Sequence, residues 1–418
     1  MPGVSVARSR IVSADSHVVE PPSLYAEYLD PIWRPDAPRL VPDGSGGQQI
    51  FIPGMTRVLA LGLLASAGQP SHLLNEVGTT FQDIRCAAWD PRERLKDQDA
   101  DGVAAEVLYP SVGLALLTHI NRQYAGACFR AYNRWLADFC AADRARLIGC
   151  GVSAAPSPRE TCSDLAHIHE LGLRGAVLPL EPGTAPYYSR EFDQVWKTAV
   201  DLNLPISFHA QPPRLRQDTN RSSLIIMGSV WEAQDLLLSL IAGGVFARHP
   251  QLRIVLAEFD VEWLPHLINR LDHQTSRHSH WLKLGEKLEH PPSHYVGQSV
   301  FLTASDELAH DWPTRRKAAR VMWSSDFPHS DSTFPFSREA AHRLGLCFPE
   351  YERDAVLGET VLSLYDLDLH SACVNVFSTD GKRVTLRLPW CRQRQVNWRG
   401  LRDLAEGLAH PYAALPPT

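Results

Sequence analysis

The stretch that decides the fold lies near the N-terminus and reads Ser13-Ala-Asp-Ser-His-Val-Val-Glu-Pro-Pro22, SADSHVVEPP. It follows a short apolar run and breaks at Glu-Pro-Pro, which predicts the carboxyl end of a strand. Asp15 and His17 are separated by one residue, and alternate side chains of a strand point to the same face. The pair is therefore either half of a metal site or two polar residues at a strand tip.

The bulk composition narrows the class of protein. The chain has 418 residues, of which 44% are hydrophobic, and a formal net charge of -6. It has no cluster of Lys and Arg, which argues against nucleic acid as a partner. It also has no apolar run long enough to span a membrane and no signal-peptide core at the N-terminus, so a cytoplasmic enzyme is expected. The eight cysteines form no CxxC pair, which argues against a zinc ribbon.

Strand-like and helix-like patterns alternate along most of the chain. Eight strand-like segments with helical stretches between them favour a closed (β/α)8 TIM-like barrel, since no GxGxxG motif supports the doubly wound alternative. A long insertion over about 20–85 follows the first strand, with a hairpin turn at 43–47, and a helix is predicted over 313–320. The predicted strands are 11–17, 103–109, 147–152, 175–180, 205–209, 252–258, 300–303 and 321–326.

The C-terminal segment follows a different pattern. Residues 1–370 are predicted to form the barrel, and residues 371–418 an extension with a β-hairpin around Asp380-Gly381, a strong turn signal. This extension is expected to support packing on the barrel or on a partner subunit, or to finish a sheet with residues 49–52.

Polar side chains stand at the ends of several predicted strands. Besides Asp15 and His17, His209 ends the fifth strand, Glu258 the sixth and Asp326 the eighth. Catalytic groups of (β/α)8 barrels lie at the carboxyl ends of the strands. Two imidazoles and two carboxylates make a mixed donor set that suits Zn²⁺ and, less strongly, Mn²⁺ or Fe²⁺.

The sequence also resembles the amidohydrolase superfamily, in the branch that includes the aminocarboxymuconate-semialdehyde and resorcylate decarboxylases. The resemblance implies metal ligation by Asp15, His17, His209 and Asp326, with Asp15 standing where a His is common. It also implies a role near the metal for His329, which matches a DxPH pattern, and self-association as a homodimer. The matching segments are SADSHVVEPP (13–22), DPRERLKDQDADGV (90–103), PISFHA (205–210), FARHPQLRIVLAE (246–258), WLPHLINRLDH (263–273) and MWSSDFPHSDSTFP (322–335).

The fourth strand bears on the number of metals. Binuclear members of the superfamily use a carbamylated Lys at the end of that strand, and residues 175–180 contain no Lys. A single divalent metal, Zn²⁺ before Mn²⁺, is therefore predicted.

Two reactions remain open for such a site. Metal-activated water with Asp326 as proton shuttle would hydrolyse an amide or related C–N bond; alternatively, the metal would hold a hydroxy-carboxylate while an acid protonates carbon. The related decarboxylases place a His at the sixth strand end and a Glu three residues later, whereas this chain has Glu258 and Val261. Hydrolysis is therefore predicted, with Asp326, Glu258 and His329 as catalytic residues.

The substrate is predicted only by class. A small molecule is expected, or a modified peptide of natural-product biosynthesis, because the C-terminal extension suits a tailoring amidohydrolase. Nonoxidative decarboxylation of an aromatic or unsaturated acid is the alternative, in which Glu258 serves as the acid.

Overall fold

The computed structural model describes residues 10–56, 58–211, 230–281, 288–305, 320–367 and 369, together with the backbone of 373–377 and 383–387. The chain divides into two compact units, Met1–Asp366 and Leu367–Thr418. Within the described ranges, none of the helices combines the length and apolar character needed to cross a bilayer.

The strands are β1 (Ile11–Val18), β2 (Arg39–Pro42), β3 (Gln48–Phe51), β4 (Leu59–Ala60), β5 (Val103–Pro110), β6 (Leu147–Val152), β7 (Gly175–Val177), β8 (Ile206–His209), β9 (Ile254–Ala257), β10 (Val300–Ala304), β11 (Arg320–Trp323), β12 (Cys373–Phe377) and β13 (Arg383–Arg387).

The α-helices are α1 (Pro22–Tyr28), α2 (Leu61–Leu64), α3 (Pro91–Asp101), α4 (Val112–Leu116), α5 (Arg122–Cys140), α6 (Pro158–Glu170), α7 (Asp193–Asp201), α8 (Val230–Ala242), α9 (Val245–Arg248), α10 (Trp263–His278), α11 (Pro292–Ser299), α12 (Ser337–Leu346), α13 (Glu350–Asp354) and α14 (Thr360–Leu364). Short 3-10 turns lie at Arg34–Asp36, Ser71–Leu73, Cys86–Ala88 and Arg190–Phe192, and a π-helical turn at Ala355–Glu359 joins α13 to α14.

Eight of the strands form the parallel barrel that the sequence predicts. They follow one another in the order β1-β5-β6-β7-β8-β9-β10-β11, and each neighbouring pair is parallel. All eight residues of β1 are buried, as expected for a strand covered on both faces. The predicted (β/α)8 architecture is confirmed.

The barrel closes where β1 meets the segment after β11. The backbone N–H of Asp326 donates to the carbonyl of Asp15 at 3.0 Å, and the N–H of His17 donates to the carbonyl of Phe327 at 2.6 Å. The hydroxyl of Ser13 also receives a hydrogen bond from the N–H of Ser325 at 2.9 Å. The seam therefore holds three predicted metal ligands, Asp15, His17 and Asp326, close together.

Local signals explain the helix that leads into β5. The Asp90 side chain accepts hydrogen bonds from the N–H groups of Arg92 and Glu93, and Pro91 occupies the first turn, where its missing N–H costs nothing. Gly102 ends α3 in the left-handed conformation, with φ of 78°. These signals place both ends of α3.

The insertion after β1 forms a small antiparallel sheet of β2, β3 and β4, with the predicted turn between β2 and β3. Residues 49–51 are thus paired within this sheet. The insertion also contacts the segment that follows β11: the N–H of Ala67 donates to the carbonyl of Pro328, and the N–H of Ser330 donates to the carbonyl of Leu63. The second unit contains the predicted hairpin, in which β12 and β13 pair antiparallel.

Several predicted bounds differ from the structure. β7 ends at Val177 and β11 at Trp323, so Asp326 lies three residues beyond its strand. Asp326 has a positive φ of 51°, a left-handed backbone that a strand cannot accommodate. The predicted helix over 313–320 falls outside the described residues except for Arg320, which begins β11.

Candidate metal centre

The structure brings the four predicted ligands together at the carboxyl end of the barrel. The Nε2 atoms of His17 and His209 each lie 3.4 Å from Oδ1 of Asp15. The same nitrogen of His17 lies 3.2 Å from Oδ1 of Asp326. Donor atoms of Asp15, His17 and His209 lie within 4.8 Å of one another, and so do those of His17, Asp326 and His329.

The spacing fits donor atoms that surround a cation. Ligand atoms about 2.1 Å from a metal, at tetrahedral or octahedral angles, lie about 3.0–3.4 Å from one another. Neither Nε2 of His17 nor Oδ1 of Asp326 makes a well-oriented hydrogen bond to any described residue, although both atoms are buried. Buried polar atoms without partners are costly, and a bound cation would satisfy both.

Both imidazoles are held by their other ring nitrogen. Nδ1 of His17 lies 3.0 Å from the carbonyl of Pro110, and Nδ1 of His209 lies 2.8 Å from the carbonyl of Ala210. A carbonyl can only accept, so each Nδ1 carries a proton, and in the neutral imidazole each Nε2 offers a lone pair. This is the usual outer support of a metal-binding histidine.

The electrostatics of the two histidines follow from the carboxylates that face them. Burial by itself lowers the pKa of His17, but Asp15 and Asp326 outweigh it and hold that pKa well above its ordinary value. Burial likewise opposes the charged form of His209, and Asp15 and Glu258 raise its pKa. Because a ligand histidine must be neutral, metal binding at this site would release protons.

The pKa values of the two carboxylates, Asp15 and Asp326, are lowered, whereas those of the two histidines are raised. Burial by itself raises the pKa of Asp15, but His209 and His17 outweigh it, and the pKa lies below its ordinary value. Burial also opposes ionisation of Asp326, yet His329 and His17 lower its pKa far below the usual range. Both carboxylates are therefore anionic and suited to a cation.

His329 lies directly against this cluster. Its ring stacks on that of His17 with 3.9 Å between centroids, and its Nδ1 lies 3.1 Å from Oδ1 of Asp326. Its Nε2 is 2.9 Å from the hydroxyl of Ser111. Burial and the neighbouring His17 lower the pKa of His329, so this imidazole is neutral near pH 7.

Glu258 follows β9 and lies beside His209. Its Oε2 is 3.5 Å from Nδ1 of His209, and its side chain keeps 44% of its surface accessible. Its φ of 60° is left-handed, and its N–H donates to the hydroxyl of Thr303 at 3.0 Å. The surrounding protein and the charge of Asp326 raise the pKa of Glu258 to about 8. These influences favour the protonated form of Glu258, next to the ligand cluster.

A buried network that the sequence did not indicate supports the cluster from behind. The Arg94 guanidinium pairs with Glu106 at 2.5 Å and donates to the carbonyl of His17 at 2.8 Å and of Phe327 at 3.4 Å. Gln98 also donates to Glu106 at 2.7 Å. One charged side chain therefore links the two backbone segments that carry the ligands.

A second support runs through Ser111. The buried carboxylate of Glu20 accepts hydrogen bonds from the N–H groups of Ser111, Val112 and Gly113 at 3.2, 2.9 and 2.8 Å. This fixes the turn after β5, from which the Ser111 hydroxyl reaches His329. Glu20 lies inside the SADSHVVEPP stretch, but its spacing gave no sign of this partner.

The fold and the donor set together define a metal-dependent (β/α)8 barrel enzyme. Residues 88–367 match the family described as Amidohydrolase, and the chain belongs to that family. It is therefore an enzyme of the amidohydrolase superfamily, as the resemblance implied.

Proteins of similar sequence indicate the class of reaction. The chain is 24% identical over 281 residues to Decarboxylase orsB of Emericella nidulans, with 61% of this chain and 82% of the relative covered. It is 26% identical over 281 residues to the gamma-resorcylate decarboxylase of Rhodococcus jostii, with 60% and 81% covered. The prediction of C–N bond hydrolysis, in modified-peptide biosynthesis or elsewhere, is wrong, because these relatives are named decarboxylases. The donor set serves either reaction, so it could not select hydrolysis.

Solved structures share the fold. The amidohydrolase map2389c of Mycobacterium avium subsp. paratuberculosis aligns with a TM-score of 0.66 and 19% identity, covering 86% of this chain and 100% of that one. The 5-carboxyvanillate decarboxylase of Novosphingobium aromaticivorans aligns with a TM-score of 0.62 and 19% identity, covering 86% and 96%. The latter structure is complexed with manganese and 4-hydroxy-3-methoxy-5-nitrobenzoic acid.

Proposed function

We propose that this protein is a nonoxidative decarboxylase of hydroxylated aromatic carboxylic acids that depends on one divalent cation. The observation that carries the proposal is that Asp15, His17 and His209 form one candidate ligand group and His17, Asp326 and His329 a second, with His17 common to both. Nε2 of His17 and Oδ1 of Asp326 are buried there without a hydrogen-bond partner among the described residues. The named activities of the relatives supply the reaction class.

The four ligands would hold Zn²⁺ or Mn²⁺. Zinc follows from the two imidazoles, and manganese from the two carboxylates and from the structure of the 5-carboxyvanillate decarboxylase. When bound, the cation would supply positive charge that favours ionisation of the hydroxyl next to the substrate's carboxylate, and an ionised hydroxyl makes the ring carbon easier to protonate.

Glu258 is the proton donor of the proposed reaction. Its carboxyl proton passes to the ring carbon that bears the carboxylate, so a C–H bond forms. The C–C bond to the carboxylate then breaks, its electron pair returns to the ring, and CO₂ leaves. The accessible part of the Glu258 side chain lets solvent return the proton. The raised pKa of Glu258 supports this role, since an acid with a pKa near the working pH transfers protons efficiently.

His329 and Asp326 position the reacting groups. The neutral imidazole of His329 lies between the Ser111 hydroxyl and Asp326, and its Nδ1 lies 3.1 Å from Oδ1 of that carboxylate. Asp326 stays ionised and would serve as a metal ligand.

The proposal is tested with metal-depleted protein that is reloaded with Mn²⁺ or Zn²⁺ and given a panel of dihydroxybenzoates and carboxyvanillate. Release of CO₂ with formation of the corresponding phenol is expected only in the loaded samples. Simple anilides serve as the matched control, because they probe hydrolysis by the same site. Amine release from the anilides without CO₂ from any acid would contradict the proposal.

A further inference from the structure

The hydroxyl of Thr303 lies between two parts of the centre that the proposed reaction needs. Thr303 belongs to β10 and is only 2% exposed. Its Oγ1 accepts a hydrogen bond from the N–H of Glu258 at 3.0 Å and lies 3.4 Å from Oδ2 of Asp15. One buried side chain therefore contacts both the backbone of the proposed proton donor and the carboxylate of a predicted metal ligand.

The chemistry of a hydroxyl fixes the direction of both contacts. A backbone N–H can only donate, and an ionised carboxylate can only accept. The Thr303 oxygen therefore accepts from Glu258, and its own hydrogen is free to donate to Asp15. The bond to Asp15 is long for two oxygens, and the negative charge of the acceptor favours it.

The contact with Glu258 supports an uncommon backbone conformation. Glu258 follows β9 with a φ of 60°, in the left-handed region that residues other than Gly rarely adopt. Such a conformation persists where the surrounding structure holds it. The register of β9 and β10 pairs Leu256 with Leu302, so Thr303 stands beside the end of β9 and supplies the acceptor for the turn. From this turn the Glu258 carboxyl reaches to 3.5 Å from Nδ1 of His209.

The contact with Asp15 involves the carboxylate oxygen that does not face the imidazoles. Oδ1 of Asp15 lies 3.4 Å from Nε2 of both His17 and His209, whereas Oδ2 faces Thr303. A hydrogen bond to one oxygen orients the carboxylate, so that the other oxygen points toward the ligand cluster. Groups that orient metal ligands in this way typically contribute about 10–100-fold in metal affinity.

We propose that Thr303 is a positioning residue whose single hydroxyl serves both functions of the centre: it orients Asp15 for the cation, and it holds the turn that presents Glu258 to the substrate. Loss of this hydroxyl therefore disturbs metal binding and proton transfer together, although Thr303 is neither one of the predicted ligands nor the acid. The part that concerns proton transfer rests on the proposed decarboxylase function, whereas the two contacts do not.

Thr303→Val tests the proposal, because Val keeps the branched shape of Thr and lacks the hydroxyl. Chelator competition is expected to show an Mn²⁺ affinity about tenfold lower. Hydrogen exchange of the metal-depleted protein, followed by mass spectrometry, is expected to show the Glu258 amide exchanging about fivefold faster. With the dihydroxybenzoates at saturating Mn²⁺, kcat is expected to fall about tenfold and KM to change by no more than about twofold. Thr303→Ser keeps the hydroxyl and is expected to restore all of these quantities.

Thr161→Val is the matched control. Thr161 is also buried, and its hydroxyl donates to the carbonyl of Ser157 at 2.7 Å at the start of α6. This variant loses a comparable hydrogen bond outside the ligand cluster, so Mn²⁺ affinity, exchange of the Glu258 amide and kcat are expected to stay unchanged. The double variant Thr303→Val/Glu258→Gln tests whether Thr303 acts through Glu258. Its kcat is expected to equal that of Glu258→Gln within about twofold, because the effects of two residues that act through one contact do not add.

The outcomes distinguish this proposal from the decarboxylase function. If the unaltered protein releases CO₂, the role of the hydroxyl is overturned by any of the three quantities staying unchanged in Thr303→Val, by no recovery in Thr303→Ser, by equal losses in Thr161→Val, or by a double variant about tenfold slower than Glu258→Gln. If no acid releases CO₂, the decarboxylase function is overturned. Lower Mn²⁺ affinity and faster amide exchange in Thr303→Val, both restored in Thr303→Ser, would then still support the two contacts, and their absence would overturn them.

Discussion

Replacing Arg94 with Met tests the buried network behind the ligand cluster. Arg94 is 1% exposed and pairs with Glu106, which is 3% exposed. Removing one partner of a buried ion pair leaves the other charge uncompensated, at a cost of about 3–5 kcal/mol. The hydrogen bond to the His17 carbonyl is also lost, at about 1 kcal/mol. Met recovers part of this by apolar contact, so the variant is expected to lose about 4 kcal/mol of unfolding free energy.

The double variant Arg94→Met/Glu106→Gln separates charge from shape. It removes the Glu106 carboxylate, which has no counter-charge once Arg94 is lost. The Gln side chain that replaces it keeps an acceptor for the Gln98 amide, which lies 2.7 Å from Glu106 in the unaltered protein. It is expected to recover at least about 2 kcal/mol relative to the single variant. Urea denaturation with the linear extrapolation measures both values.

Arg85→Met is the matched control. Arg85 also pairs with a carboxylate, that of Asp97, but its side chain is 40% exposed, so its loss is expected to cost about 1 kcal/mol or less. A loss below about 1 kcal/mol for Arg94→Met, or a double variant no more stable than the single one, would refute the reasoning.

The network also predicts an effect on metal binding. The double variant is stable enough to assay but lacks the Arg94 contacts to the carbonyls of His17 and Phe327. Groups that support ligands from behind typically contribute about 10–100-fold in metal affinity. Competition with a chelator is expected to show a loss in that range, and unchanged affinity would mean that the ligands are positioned without Arg94.

Three further predictions concern single residues at the centre. Because the pKa of Glu258 is raised to about 8, its protonated form prevails below that pH, and kcat is expected to fall as pH rises through about 8. Glu258→Gln is expected to lower kcat about 10²–10⁴-fold and to remove this fall from the pH–rate profile. A variant that keeps the fall would assign it to another group. Ser111→Ala is expected to lower kcat about tenfold and to change KM by no more than about twofold, because His329 loses the hydroxyl 2.9 Å from its Nε2. Ser111→Thr is expected to restore kcat. An unchanged kcat in Ser111→Ala would show that the hydroxyl has no role. Asp15→His removes a negative charge and adds a softer ligand, so competition binding is expected to shift toward Zn²⁺ over Mn²⁺ and the pH–rate profile to move, whereas unchanged selectivity and profile would contradict this role of Asp15.

The barrel could be predicted from the sequence because its signals are local and repeated. Buried strands alternate with helices, and caps such as Asp90 with Pro91 and stops such as Gly102 mark the ends. The ligand positions followed because parallel strands bring their carboxyl ends to one rim. Bounds near the site were less accurate, since Glu258 and Asp326 adopt left-handed backbone that no local pattern indicates.

The supporting residues could not be predicted for a different reason. Arg94, Glu106 and Glu20 are charged, and charged residues are buried only where distant segments supply partners. Those partners, such as the carbonyl of Phe327, are far away in sequence. The reaction could not be predicted from the sequence pattern either. The absence of a His–Glu pair after the sixth strand favours hydrolysis over decarboxylation, and the named activities of the relatives contradict that prediction.

Stoichiometric metal titration tests the central claim most directly. Metal-depleted protein is titrated with Mn²⁺, and in parallel with Zn²⁺, while CO₂ release from the dihydroxybenzoates and carboxyvanillate is followed. The ligand set Asp15, His17, His209 and Asp326 predicts that CO₂ release rises linearly and saturates at one equivalent of the active metal, and that Asp326→Asn abolishes it. Full CO₂ release without added metal, or none at any metal ratio, would contradict the account.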